Sequence, residues 1–168
     1  MPSALGRTVW RITSARYADR AFDGEGARLY GGRWNHSGSA VVYCSATLSL
    51  AVLEYFVHLE PDLAPRELVA VAADLPAGLA GETLEIEALP RDWRTYPGPE
   101  RLRDLGSGWL VSSRTAVLYV PSSVIPHEMN VLLNPLHPEF TRLRLHEAQP
   151  FSFDPRMWKV TTGMVGSA

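Results

Sequence analysis

The sequence predicts an α+β fold, one domain over residues 1–168 whose strands are largely antiparallel. Three observations lead there. Short apolar runs rich in β-branched residues outnumber segments with helical periodicity. Most connections between them are too short for parallel crossovers, which take a dozen residues or more. A length of 168 residues also fits one compact domain that buries a core without cross-links.

Taken in order, Thr8 to Thr13 (TVWRIT) reads as a strand. Arg16 to Ala27 is a polar loop or broken helix, weakened by Gly24 and Gly26, and Gly31-Gly32 and Ser37-Gly38 mark turns. Ala40 to Cys44 is an apolar run expected to be a buried strand. The clearest helix follows, with Leu48, Ala51, Val52, Tyr55, Phe56 and Leu59 at i, i+3, i+4, i+7, i+8 spacing. Ser45 or Thr47 is its expected cap and Pro61 its stop. Leu50, Leu53 and Val57 make its other side apolar too, so the helix is expected to be buried on most faces. Leu68 to Leu75 reads as a strand, Pro76 to Pro99 as surface connection, and Glu100 to Ser112 as a helix despite Gly106 and Gly108. Thr115 to Val120, Asn130 to Leu133 and Leu143 to His146 are further strands.

Composition narrows the function classes. Hydrophobic content of 46% and charged content of 20% are ordinary for a globular protein. A formal charge of −2, with a pI near 6.2, gives no general attraction to nucleic acid or an anionic membrane. One cysteine, Cys44, excludes an internal disulfide framework and suits a reducing compartment. No signal peptide is readable in MPSALGRTVW, and no apolar run approaches the roughly 20 residues of a membrane span. The expected location is therefore cytoplasmic.

Residues 28–60 concentrate the chemistry. Glu54 sits among Leu50, Leu53, Tyr55, Phe56 and Val57, where a carboxylate is expensive to bury without a task. It either pairs internally with Arg33 or another cation, or sets a fixed negative charge beside a developing cation, such as an oxocarbenium-like state. Arg28 and Arg33 flank Gly31-Gly32, either as surface arginines of a hairpin turn or as forks for an anion held close to the backbone. Tyr43 is a core tyrosine or a ring that stacks on a flat heterocycle. His58 lies four residues from Glu54 on the same helical face. The five histidines show no metal spacing, so no metal site is expected. Cys44, in an apolar strand, is expected to be inert. Ser122, Asn130 and Asn134 are equally good turn formers and polar donors for a sugar or phosphate. No G-x-S-x-G elbow, G-x-x-x-x-G-K-[ST] loop or G-x-G-x-x-G fingerprint occurs.

Taken together, V-W-R-I at Val9 to Ile12, R-L-Y-G-G-R-W-N, V-V-Y, L-E-Y-F-V-H-L-E, V-P-S-S-V-I-P and N-V-L-L-N-P-L-H-P resemble the RES domain family across nearly the whole chain. The resemblance implies a fold like that of ADP-ribosylating toxins, with two small, mainly antiparallel sheets flanking a NAD cleft. It implies the toxin of a bacterial toxin–antitoxin pair with an Xre-type antitoxin, acting on NAD+ as substrate with no cofactor. Family members cleave the nicotinamide–ribose bond by phosphorolysis, with inorganic phosphate as co-substrate, or by hydrolysis; others transfer ADP-ribose to a protein. By the same resemblance Arg33, Tyr43, Glu54 and Ser122 are the catalytic set, with Arg28, Asn130 and Asn134 at the substrate. Arg28 and Arg33 would hold pyrophosphate or phosphate, Tyr43 would lie on nicotinamide, and Ser122 would orient substrate. A non-catalytic nucleotide- or protein-binding module is the alternative of another class. A nucleic-acid-cleaving toxin fits the charge balance less well.

Overall fold

The computed structural model describes residues 7–60 and 67–158. Among these, eight strands join in one sheet: β1 (Arg7–Ser14), β2 (Val42–Ser45), β3 (Leu68–Leu75), β4 (Gly81–Thr83), β5 (Val117–Pro121), β6 (Met129–Leu133), β7 (Arg144–Leu145) and β8 (Gln149–Phe151). The spatial order is β4-β5-β6-β2-β1-β3-β7, with β8 also paired to β3. Every pairing is antiparallel except β4 with β5. The helices are α1 (Glu25–Tyr30), α2 (Leu48–Phe56) and α3 (Glu100–Ser112).

The sheet is nearly two. β1 pairs with β3 along all of Arg7 to Ser14, but with β2 only at Trp10 opposite Ser45. The two halves therefore part beyond that single pair, and the strand edges that face each other across the split are those of β1 and β2. The expected two sheets are thus one hydrogen-bonded sheet that opens at its middle.

Side-chain alternation assigns each half its layers. Val9, Val42, Cys44, Val71, Val117, Val131 and Leu133 share one face, covered by Ala21, Phe22 and the segment near Phe140 and Leu143. On the opposite face of the β5–β6 half, Leu118, Val120 and Leu132 meet Leu102 and Trp109 of α3, with Trp34, Val41 and Trp93. On the opposite face of the β1–β3 half, Ile12, Leu68 and Ala70 meet Ala51, Val52 and Tyr55 of α2. Gly106 lets α3 come close: a Cβ there would lie 1.8 Å from the Trp34 carbonyl oxygen. The glycine that weakened the sequence signal for this helix is thus the one that seats it.

Helix α2 starts where Thr47 Oγ1 accepts from the Leu50 amide, and it ends at Phe56. Pro61, expected to end it, lies outside the described residues, as do residues 1–6 of the N-terminus. Burial is narrower than expected. Leu50 and Ala51 are buried, whereas Val57 is 53% exposed. The outer side of α2 rests on a late aromatic group instead, with Phe153 and Trp158 against Tyr55 and Phe56. The stretch from Pro76 to Pro99 is not merely surface connection, since it contributes β4 and the buried Trp93. β8 was not expected either.

Candidate active site

A cleft of about 670 Å³ opens beside the Gly31-Gly32 turn, and a smaller lobe of about 350 Å³ continues from it over the β1–β2 split beneath α2. Arg11, Tyr43, Glu54, His58 and Asn130 line both lobes. Arg33, Tyr96, Arg103 and Ser123 line the larger one and not the smaller. The larger lobe lies within the size range of ordinary small-molecule sites.

Glu54 stands where the lobes meet. Its Oε1 accepts from Ser122 Oγ at 2.6 Å and from Asn130 Nδ2 at 2.6 Å. Both bonds fall on the same oxygen, which fixes the carboxylate and leaves Oε2 for something else. The support runs further back. Asn130, opposite Ser45 in the β2–β6 ladder, accepts from the buried Ser45 Oγ at 2.7 Å. Ser122 is fully buried and also accepts from the amides of Val124 and Ile125, at 3.1 and 2.9 Å. All its hydrogen-bonding capacity is used within the protein, and Ser123 rather than Ser122 lines the cleft. Ser122 is therefore a positioning residue for Glu54, and the expected direct contact with substrate is not what this geometry offers.

Tyr43 is both a hydrogen-bonded tyrosine and a wall of the cleft. Its hydroxyl donates to Asn35 Oδ1 at 2.7 Å and accepts from the Trp34 amide at 3.0 Å. Burial pushes its pKa well up, against the opposing pull of the Trp34 amide and Arg33. With the hydroxyl occupied, the ring face is the part available to a ligand. Asn35, fully buried, donates to the carbonyls of Ala27, His36 and Ser39, so the glycine turn is built around it. Gly32 has to be small there, because a Cβ would lie 2.6 Å from the Tyr43 hydroxyl.

The two sequence-predicted arginines separate. Arg33 is half-buried in the cleft; Nη1 donates to Trp93 O at 2.8 Å and Nη2 to Thr95 O at 3.0 Å. It forms no direct ion pair with Glu54, although that carboxylate opposes the lowering of its pKa by burial. Arg28 instead grips Glu25 through two bonds of 2.7 and 2.6 Å and does not line the cleft. Asn134 is also elsewhere: its Oδ1 accepts from the Leu136 amide in a turn beyond the end of β6. Cys44 is buried, its thiol pushed up to about 12 by burial, as an inert cysteine should be. His58 lies past the end of α2 and lines both lobes together with Glu54, its ring 6.0 Å from that of Tyr96. Among the described residues no group of histidine, cysteine and acidic side chains could hold a metal ion, and no helix is long and apolar enough to cross a membrane.

Sequence reasoning missed two cleft residues, Arg11 and Arg103. Arg11 was legible in principle, as a charged residue inside V-W-R-I, an otherwise apolar strand. Arg103 looks like any solvated helical arginine until α3 is placed. Five arginines outside the cleft lining are paired with carboxylates: Arg20, Arg28, Arg114, Arg142 and Arg156. Among the described residues, Arg11, Arg33 and Arg103 have only backbone carbonyls as hydrogen-bond partners. Asp23 and Glu25 also line the larger lobe, but they are bonded to Arg20 and Arg28; three guanidiniums without carboxylate partners beside the clamped Glu54 carboxylate prepare the cleft electrostatically for an anion that carries a cationic centre.

Residues 8–154 match the RES domain profile. The chain belongs to the RES domain family. A Yersinia enterocolitica protein named Toxin Res is 38% identical over 151 residues, covering 89% of this chain and 98% of that protein. A Sphingobium protein named Prs ADP-ribosylating toxin is 38% identical over 154 residues, covering 89% and 96%. The fold resembles a chain in the crystal structure of the M. tuberculosis MbcT–MbcA toxin–antitoxin complex. The TM-score is 0.73 at 17% identity, covering 88% of this chain and 85% of the other.

Proposed function

We propose that this RES domain is the toxin of a toxin–antitoxin pair and cleaves the nicotinamide–ribose bond of NAD+. The observation that carries the reading is the Glu54 carboxylate, held through Oε1 by Ser122 and Asn130, in a cleft whose arginines have no carboxylate partners. NAD+ has the matching charge pattern, with two phosphates, a cationic nicotinamide, and a ribose that becomes cationic as the bond breaks. Arg33 and Arg103 face the pyrophosphate from the larger lobe, and the Tyr43 ring forms the wall against which the nicotinamide lies. Glu54 Oε2 accepts a ribose hydroxyl and stabilises the oxocarbenium-like transition state. Nicotinamide departs with the bonding electron pair and becomes neutral, so the leaving group needs no acid and the reaction no metal. The acceptor at C1′ is phosphate or water.

The test is purified protein incubated with NAD+, with and without inorganic phosphate, followed by chromatography. Loss of NAD+ with release of nicotinamide is expected. Unchanged NAD+ in both conditions overturns the reading. Glu54→Ala separates it from a non-catalytic binding module, which would keep its toxicity.

A second reading is supported by the Sphingobium relative's name: transfer of ADP-ribose to a cellular protein. Labelled NAD+ distinguishes the two, since transfer leaves label on a macromolecule. An antitoxin partner, of Xre type by the family resemblance, follows from the toxin reading; the structurally similar M. tuberculosis chain was solved in a toxin–antitoxin complex. Co-purification with the product of a neighbouring helix-turn-helix gene tests it, and harmless expression of the isolated toxin counts against it.

A further inference from the structure

We propose that Arg94 is a positioning residue for the cleavage reaction, the charged head of a chain of hydrogen bonds that ends on the Glu54 carboxylate. The inference rests on the NAD+ reading above and names a residue outside the cleft that sets the geometry within it.

Arg94 Nε donates to the Ser123 carbonyl at 3.2 Å. That carbonyl and the Val124 amide belong to one planar peptide unit, and the Val124 amide donates to Ser122 Oγ at 3.1 Å. Ser122 Oγ in turn donates to Glu54 Oε1 at 2.6 Å. Every donor points the same way, from a side chain that stays cationic to a carboxylate. In such a chain each bond polarises the next. A charge pulling on the Ser123 oxygen makes the Val124 N–H a stronger donor. The hydroxyl that accepts from it then donates more strongly to Glu54. A contact that only docked a loop could fall on any carbonyl; this one falls on the peptide whose other end holds Ser122.

Arg94 acts without touching substrate. It lines neither lobe of the cleft, but a neighbouring pocket of about 460 Å³ that shares Arg33, His58, Tyr96 and Ser123 with the larger lobe. Its own place is set by Arg33. Arg94 to Pro97 are exposed, between the buried Trp93 and the start of α3, so burial does little to fix this strap. Arg33 holds the carbonyls of Trp93 and Thr95, the residues on either side of Arg94. Arg103 reaches the Gly98 carbonyl at 3.5 Å. The two arginines that face the pyrophosphate in the reading above are thus the ones that hold the strap. A donor bound there bears on the same stretch that steadies Glu54, and the chain joins the phosphate end of the cleft to its reacting end.

The test measures steady-state NAD+ consumption for Arg94→Gln, made in the wild type and in Ser122→Ala. A hydrogen bond to a charged group is worth roughly 10- to 100-fold when buried and less in solvent. Because Arg94 is exposed, Arg94→Gln should lower kcat about 3- to 10-fold and leave the KM for NAD+ within about twofold. Arg94→Lys, which keeps a charged donor, should lie between. In Ser122→Ala, Arg94→Gln should lower kcat by less than about 1.5-fold, because the link it acts through is already gone. A rise in KM with kcat unchanged would mean that Arg94 touches substrate. Losses that multiply in the double variant would mean that it acts by another route, and unchanged kinetics would leave it no role; each overturns the assignment. If NAD+ is never consumed, the proposed function fails, and the Asn130 side-chain amide, which donates to the same Glu54 oxygen, still decides the chain. Its NMR signal should shift in Arg94→Gln and stay in place when that substitution is made in Ser122→Ala. A signal unmoved in the first, or moved equally in both, overturns it.

Discussion

Replacing Ser122 by alanine separates support of the carboxylate from contact with substrate. The hydroxyl is fully buried, donates 2.6 Å to Glu54 Oε1, and accepts from the Val124 and Ile125 amides. Removing it leaves Glu54 Oε1 with Asn130 alone and leaves two amides of the 122–125 turn without their acceptor. Losing a hydrogen bond to a charged group costs about 1.5–3 kcal/mol, and an unsatisfied buried donor costs about 1–3 kcal/mol. Relaxation of the turn and water entry reduce the sum, so we expect a loss of about 2–3 kcal/mol in stability. For a chain of this size that lowers Tm by roughly 4–12 °C. On catalysis, a carboxylate free to rotate loses preorganisation, and kcat should fall about 10- to 100-fold. KM for NAD+ should change little, because Ser122 does not line the cleft. The assay is steady-state NAD+ consumption beside thermal unfolding of the same preparation. A large rise in KM with kcat and Tm unchanged would mean that the hydroxyl touches substrate, and the positioning role would be wrong.

Two further outcomes are expected. Arg33→Lys keeps the charge but cannot hold the carbonyls of Trp93 and Thr95 with one planar fork, so kcat/KM for NAD+ should fall about tenfold or more; near-normal kcat/KM in the lysine variant would remove Arg33 from the substrate-binding residues. Burial raises the Cys44 thiol to about 12 and moves the Tyr43 phenol upward, so the folded chain keeps protons that the unfolded chain releases near pH ~8.5 and ~10. That stability is full below those values and lost as pH rises above them; Tm measured from neutral pH to pH ~10.5 should fall, less steeply in Cys44→Ala, and an identical slope in that variant would refute the thiol's part.

Much of this fold is legible because local pattern and tertiary role agree. The run from Leu68 to Leu75 is apolar at every position but Asp74, and it becomes the strand with partners on both sides. Helix α3 has the bounds its periodicity gives, Glu100 to Ser112, since Leu102 and Trp109 point to one layer. What the sequence hides is nonlocal. β4 and β8 are three residues each and acquire strand geometry only by lying beside β5 and β3. The modest burial of α2 depends on residues a hundred positions later, since its outer side meets Phe153 and Trp158.

The site divides in the same way. Glu54 announces itself as a carboxylate in an apolar helix, and Tyr43 as a phenol in an apolar strand. Arg28 and Arg33 read alike, five positions apart around one glycine pair, yet the fold gives one to Glu25 and the other to the cleft. The distinguishing fact is a neighbour: Glu25 lies three residues before Arg28 in α1, in reach of a helical ion pair. Arg33 has no acidic residue within four positions on either side. Applied along the chain, that criterion also marks Arg11, whose nearest acidic residue in sequence is Asp19, but it marks Arg7 and Arg114 too, neither of which lines the cleft, and Arg114 pairs with Glu82 from a distant part of the chain. It does not mark Arg103, which adjoins Asp104; there the helix turns the acidic side chain to His36 and leaves the arginine to the cleft. An arginine without a local carboxylate, in a strand otherwise committed to the core, is thus a signal for an anion site that needs no motif; it fails where helical geometry separates adjacent charges, as at Arg103, and where a carboxylate distant in sequence arrives, as Glu82 does at Arg114.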